Sequence, residues 1–345
     1  DTKGWSLYDR DDARSAANPV PYVLDLRNPN WPTGRFEDYA FVATSNYKRS
    51  VTAYGAGLQD VITLPHNITV RLAGGWNRIE QEYDNNLFTT GADPIPVSSR
   101  DQGLLYNAGV SWRFRPDTAL FVAAAQGRTA LSVTGSVVLN NQPPDSESEN
   151  FEIGIKQQFL GGRLALSAAW FETSRTNLRY ANPAYDSNPA SPTYNINVDP
   201  YSYDGNEKTK GGELDLNVNV SERWLINLNG TYQDPKTQKN PGMGTVTGLK
   251  KGMPRAFASV WVQHTLVPEI AGGKLVLGGG ARFTGRRAIN DTSFGIAQAY
   301  VPKYTTVDAV LRYESSSFWT VQLNLNNLAN ERYYELAQFL GGRPG

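Results

Sequence analysis

Tyr180, Tyr185, Tyr194, Tyr201 and Tyr203 fall inside residues 179–206, beside Arg179 and among many Asn and Pro residues. A second group precedes them: Trp5, Tyr8, Tyr22 and Trp31, with Arg27 and Arg35, inside residues 1–48. Rigid aromatic area interspersed with guanidinium and amide donors suits recognition of an amphipathic ligand. Tyr22, Trp31, Arg35, Arg179, Tyr180, Tyr185, Tyr194 and Tyr201 are therefore the candidate ligand contacts. The same side chains could instead pack the loops against one another, and the residues alone leave both readings open.

Bond-making chemistry finds little support. There is no cysteine, which excludes disulfides, thiolate zinc sites and cysteine nucleophiles. With His66 and His264 as the only histidines, schemes needing two or three imidazoles are nearly excluded. No nucleophile elbow, P-loop or HExxH is present, so no catalytic residue, resident metal or cofactor is expected, and the chain does not read as an enzyme. Gly242-Met243-Gly244 reads as a flexible loop, and Gly278-Gly279-Gly280 as a strand lying close to neighbouring groups. Glu213, Asp215 and Asp308 sit on strand faces, where charge facing a wet interior is the ordinary explanation. Lys plus Arg and Asp plus Glu are each 33, so nothing electrostatic points to nucleic acid.

The elements that must carry the loops announce themselves at residues 147–178. Phe151, Ile153, Ile155 and Phe159 alternate with Glu152, Gly154, Lys156 and Gln158; Gly161-Gly162 turns the chain; Leu164, Leu166, Ala168 and Trp170 alternate on the way back. That is a β-hairpin whose arms far exceed the usual ~5–6 residues. About 9–11 residues of tilted strand already cross a bilayer. The pattern predicts strands at 49–64, 68–82, 103–115, 118–128, 148–160, 163–178, 207–221, 224–236, 254–267, 274–286, 303–314 and 318–330. Connections alternate between short and long, the 268–273 turn being somewhat longer than the other short ones. Tight turns on one side and long loops on the other are the mark of an outer-membrane barrel, not of a soluble sandwich.

The expected fold is thus all-β: an antiparallel transmembrane barrel of which 49–330 is a part. Residues 1–48, with Pro19, Pro21, Pro29 and Pro32, read as one long extracellular loop, and 331–345 as an incomplete last one. Tyr54, Trp76, Tyr83, Trp112, Trp170, Trp224, Tyr232, Tyr304, Tyr313, Trp319 and Tyr333 tend to fall near strand ends, where interfacial aromatic belts would place them; the general preference of strands for aromatics is the other reading. Both ends look cut, so a longer protein is expected.

Several stretches then resemble one known family. Asp145-Ser146-Glu147-Ser148-Glu149-Asn150-Phe151-Glu152-Ile153-Gly154-Ile155-Lys156 is similar to the SE-x-x-E-x-G-x-K signature of TonB-dependent ferric-siderophore receptors. Thr209-Lys210-Gly211-Gly212-Glu213, Met253-Pro254-Arg255, Val301-Pro302-Lys303-Tyr304-Thr305-Thr306-Val307-Asp308 and Leu323-Asn324-Leu325-Asn326-Asn327-Leu328 follow in the family's order. The resemblance implies a 22-stranded barrel closed by an N-terminal plug, with 318–330 the last strand but one. Strand 49–64 then runs down into a periplasmic turn, and the turn after it is indeed short. It also implies a monomer in outer-membrane lipid of a Gram-negative bacterium. That monomer would import a ferric siderophore with energy from TonB acting through the plug, the iron being carried by the siderophore and not by the protein. Cobalamin or glycan uptake and a passive porin are the alternatives. No binding residue carries over by motif.

Overall fold

The computed structural model describes residues 2–9, 41–86, 97–129, 144–186, 188–199, 201–239, 248–289, 298–299, 300–315 and 316–334. Its strands are β1 (Thr2–Asp9), β2 (Phe41–Leu64), β3 (Ile68–Asn86), β4 (Val97–Arg115), β5 (Thr118–Thr129), β6 (Ser146–Phe159), β7 (Leu164–Ala181) and β8 (Tyr201–Ser221). They continue as β9 (Trp224–Lys239), β10 (Ala256–Ile270), β11 (Gly273–Thr284), β12 (Arg287–Ala288), β13 (Tyr300–Val301), β14 (Tyr304–Ser315) and β15 (Thr320–Leu325). All but β12 and β13 form one 13-stranded sheet in which every strand pairs with its neighbours in the chain, antiparallel throughout. The small pair β12–β13 stands apart.

Every expected strand is present, and β1 is an additional one. Residues 1–48 are not a single loop: Thr2–Asp9 pairs with Phe41–Arg49, so β2 is an inner strand and not an edge. The proline-rich stretch of that expected loop, with Tyr22, Trp31 and Arg35, lies outside the described residues. The connection expected at 268–273 shrinks to Ala271-Gly272, both with positive φ (50° and 70°), the geometry that closes a two-residue hairpin. At the hairpin 146–181, Leu160, Gly161 and Gly162 all have positive φ. Two consecutive left-handed glycines after Leu160 avoid the Cβ clash that other residues would meet there.

Register carries the alternation across the sheet. Ile153 pairs with Trp170, Leu166 with Leu216, Leu216 with Leu228, Leu228 with Val260, Leu277 with Leu311 and Leu311 with Leu323. One face is therefore a continuous apolar surface, yet it packs on nothing. Leu58 is 81% exposed and Leu104 70%. Among the described residues the buried hydrophobic ones are only Ala169, Leu178, Leu249, Val276, Ala288 and Val301. Leaving a leucine in water forgoes roughly 1.5–3 kcal/mol of burial, so this face demands a non-aqueous solvent. Apolar outward and polar inward is the order of a membrane barrel.

Aromatic rings bound that face above and below. Near the short turns Trp112 lies 5.4 Å from Phe114, Trp224 stacks on His264 at 4.0 Å, and Tyr313 lies 5.0 Å from Trp319. Toward the long loops Phe151 meets Trp170 edge-on at 6.2 Å. On β6, Phe159 and Phe151 mark the two borders, about 26 Å apart at ~3.3 Å per residue. A tilt of about 40° reduces this to roughly 20 Å, near the height of a lipid-facing band. Tyr304 does not belong to these rings. It shares its strand face with Thr306 and Asp308, opposite to Val307, and so faces the lumen.

The lumenal face is small and polar, with aromatic side chains lying over glycines. A Cβ on Gly154 would come within 2.6 Å of the Phe121 ring, one on Gly211 within 2.7 Å of Phe171, and one on Gly278 within 2.7 Å of Trp261. Gly278 and Gly280 are thus the floor beneath the Trp261 indole. Glu152 and Lys156 share this face, as the alternation requires, but they do not pair. The Lys156 ammonium instead lies 5.1 Å from the centre of the Phe121 ring.

Candidate ligand-binding rim

The long-loop ends of the strands form a rim with two described sectors. The first is the loop between β7 and β8. Pairing of Ala181 with Tyr201 and of Tyr180 with Ser202 brings its two ends together, and so sets the Arg179 guanidinium 4.6 Å over the Tyr201 ring. Tyr180 lies on Gly205, where a Cβ would approach its ring to 2.2 Å, and its hydroxyl donates to Glu207 Oε1 at 3.5 Å. Arg179, Tyr180 and Tyr201 are thus brought together. Tyr185 and Tyr194 sit higher, each next to one half of a two-rung bridge between Asp186 and Asn195.

The loop's polar side chains are largely spent on its own backbone. The side-chain oxygens of Asn182, Asp186, Asn188 and Asn195 accept from the N–H groups two residues on, at Ala184, Asn188, Ala190 and Asn197. Asn182 and Asn188 each precede a Pro-Ala pair, the local turn that such side chains favour. Asn182 also donates to the Asp199 carbonyl at 2.7 Å. Hydrogen bonds from the Ser191 hydroxyl, the Asn188 N–H and the Thr193 hydroxyl hold the Asp186 carboxyl below its ordinary range. The asparagines expected to serve a ligand therefore serve the loop.

The second sector was not among the candidates. It comprises residues 248–255, the two flanks of the β11–β14 connection, and residues 327–334. Gln298 clamps the Leu249 backbone from both sides, at 3.1 and 2.7 Å, and accepts from the Tyr300 hydroxyl at 2.7 Å. The Gly252 N–H donates to the Ala288 carbonyl, and the Ile289 N–H to that of Ala299. Leu249, Ala288 and Val301 are buried beneath this mesh. On top, the Arg286 guanidinium lies 4.5 Å over Tyr300 and that of Arg287 lies 5.7 Å over Tyr304, whose other contact is Tyr333, stacked at 4.1 Å. The Arg286-Arg287 dipeptide was the visible signal. Its partners were not, because they lie across the loop.

Glu207 joins the sectors. It receives Lys250 at 2.5 Å and Arg175 at 3.8 Å, with its side chain only 13% exposed. A rim of stacked guanidinium and phenol groups can grip a planar, oxygen-rich solute. Among the described residues no cluster of three or more His, Cys, Asp or Glu could hold a metal ion.

A lipid-fitted antiparallel wall carrying a cationic, aromatic rim on its long-loop side defines a β-barrel outer-membrane receptor. The chain belongs to the TonB-dependent receptor-like β-barrel family, whose model matches residues 4–328. It is 26% identical over 317 residues to the probable TonB-dependent siderophore receptor PiuA of Acinetobacter baumannii, covering 86% of this chain and 39% of that one. It is 24% identical over 329 residues to the metal-pseudopaline receptor CntO of Pseudomonas aeruginosa, covering 93% and 42%. The crystal structure of the Acinetobacter receptor superposes with a TM-score of 0.73 at 22% identity, over 97% of this chain and 48% of that one. The ferric-catecholate import receptor Fiu of E. coli K12 does so with 0.66 at 18% identity, over 87% and 43%. The chain spans less than half the length of these relatives. The family is one of outer-membrane receptors and transporters, not of enzymes.

Proposed function

We propose that the chain is the barrel part of an outer-membrane receptor that binds a ferric siderophore at its outer rim and imports it with energy from TonB. The observation that carries this reading is the rim itself: guanidinium groups stacked on tyrosines at the extracellular end of a wall whose outward face fits lipid. Siderophore complexes bring their own iron ligands, so the rim has to recognise a chelate and not a bare ion. The relatives' names point the same way, and the protein is expected to act as a monomer in outer-membrane lipid. The deciding experiment deletes the gene and measures iron-chelate uptake under iron limitation across several siderophore classes. Loss of uptake for one class is the expected result; unchanged uptake for all of them sinks the proposal. The similarity to a metal-pseudopaline receptor over 93% of the chain favours, as a second reading, a metallophore carrying another metal. The same deletion strain, supplied with zinc- or nickel-loaded metallophore, separates the two.

A further inference from the structure

We propose that the sector built by residues 249–255, 286–289 and 298–304 is where the chelate is gripped, and that it selects ferric complexes of net negative charge with catecholate-type ligands. This rests on the siderophore reading and adds to it the chemical class of the ligand. The first observation is a surplus of positive charge. Three cations in and beside the sector are neutralised: Lys250 by Glu207, Arg255 by Asp234 at 3.0 Å and Arg282 by Asp308 at 2.5 Å. Lys251, Arg286, Arg287 and Lys303 have no ion-pair partner among the described residues, and Lys303 and Arg286 are exposed. Glu331 is the one described carboxylate of the 327–334 segment, and it bears no ion pair; its backbone N–H and carbonyl are bound to the Asn327 side chain.

The second observation is how those cations are held. A guanidinium stacked on a ring keeps its N–H donors at the edge, directed toward a partner in the same layer. Arg286 has no hydrogen-bond partner among the described residues besides its stacking on Tyr300. Arg287 donates one Nη2–H to the Tyr334 carbonyl at 2.8 Å, while its buried Nε has no partner. Tyr300 is 37% exposed and offers aromatic surface beside these donors. A ferric ion held by catecholate dianions retains negative charge and presents aromatic rings with oxygen edges, matching both features. The same ion held by hydroxamate monoanions is neutral and lacks the rings. The β7–β8 sector offers the opposite balance, with Asp186 and Asp199 beside Arg179 and Asp204 already paired with Lys239 at 2.6 Å.

The test uses the complete receptor purified in detergent. Tryptophan fluorescence is titrated with the ferric complexes of a hexadentate tris-catecholate and of a tris-hydroxamate, at low and high salt. The catecholate complex should bind at least ~10-fold more tightly, and high salt should erode the difference. Arg286→Gln and Lys251→Gln should each weaken it about tenfold, as loss of a charged hydrogen bond does, leaving hydroxamate binding unchanged. Both replaced side chains lie outside the barrel wall, and unchanged heat-modifiable mobility verifies folding. Equal binding of the two complexes overturns the proposal, as does tight catecholate binding by the folded double variant. Binding of the hydroxamate alone overturns the ligand class but keeps the receptor reading, whereas binding of no ferric chelate removes both.

Discussion

The two sectors of the rim are built from similar residues and use them in opposite ways. The β7–β8 loop turns its Asn and Asp side chains onto its own backbone, so its polar groups are consumed in holding a shape. The β11–β14 sector fixes its backbone with strand-like hydrogen bonds, the Gln298 clamp and a small apolar centre. Its cations are thereby left over. A side chain can bind a ligand only with the hydrogen-bonding capacity that its own fold does not use, so an inventory of residue types misjudges which loop is receptive.

The sharpest way to break this contrast is to destroy the frame of one sector and leave the other intact. Ala288 is 1% exposed and lies between the Lys251 and Tyr300 backbones. Ala288→Trp has no room there, and overpacking of this kind costs about 1–3 kcal/mol. Protease cleavage within 285–303 should rise many-fold while cleavage within 182–200 stays as in the parent. Next in size is the joint. Lys250→Met leaves Glu207, at 13% side-chain exposure, with Arg175 as its remaining cation, at a cost of roughly 1–3 kcal/mol. A double-mutant cycle with Glu207→Gln, read by thermal unfolding of the complete receptor, should recover most of that cost. No coupling between the two would mean the sectors are independent.

How much of this was legible in the sequence follows the same line. Inside the lipid band each strand must alternate, so Leu164, Leu166 and Trp170 betrayed β7 and Gly161-Gly162 its turn. Above the band both faces meet water, and alternation fades. That is why β2 begins at Phe41 instead of at residue 49, β8 at Tyr201 instead of at 207, and why β1 was not seen. Contact between Arg179 and Tyr201 was within reach, because the two ends of a hairpin have to meet. The contact between Arg286 and Tyr300 needs the path of the intervening loop. Tyr304 was assigned to the aromatic girdle because a ring near a strand end looks alike on either face until parity is carried along β14 from Val307 and Asp308.

A smaller effect tests whether the first sector's one guanidinium–tyrosine stack matters to ligand at all. Tyr201→Leu removes the face beneath Arg179, a contact of about 0.5–1 kcal/mol at an exposed site. Ferric tris-catecholate affinity should change by less than ~3-fold, against the tenfold expected for Arg286→Gln. A larger loss for Tyr201→Leu would move the centre of binding to the β7–β8 loop.

The finest distinction between the sectors is their response to acid. Asp186 is half-buried in its loop, and its carboxyl is held below the ordinary range by Ser191, the Asn188 N–H and Thr193. A carboxyl whose pKa is lower in the folded loop than in the unfolded one stabilises the loop fully above the unfolded value. That contribution is lost as pH falls through the folded value, below the usual carboxylate range. The loop's hydrogen-exchange protection at Asn188 and Asn195 should therefore decline at acid pH after correction for intrinsic exchange. Protection at Gly252 and Ile289, whose partners are the carbonyls of Ala288 and Ala299, should stay flat over the same window because no carboxylate takes part in those bonds. Asp186→Asn should abolish the decline in the first sector and leave the second untouched. Parallel loss of protection in both would show that the rim melts as one unit, and the division of labour between its sectors would fall.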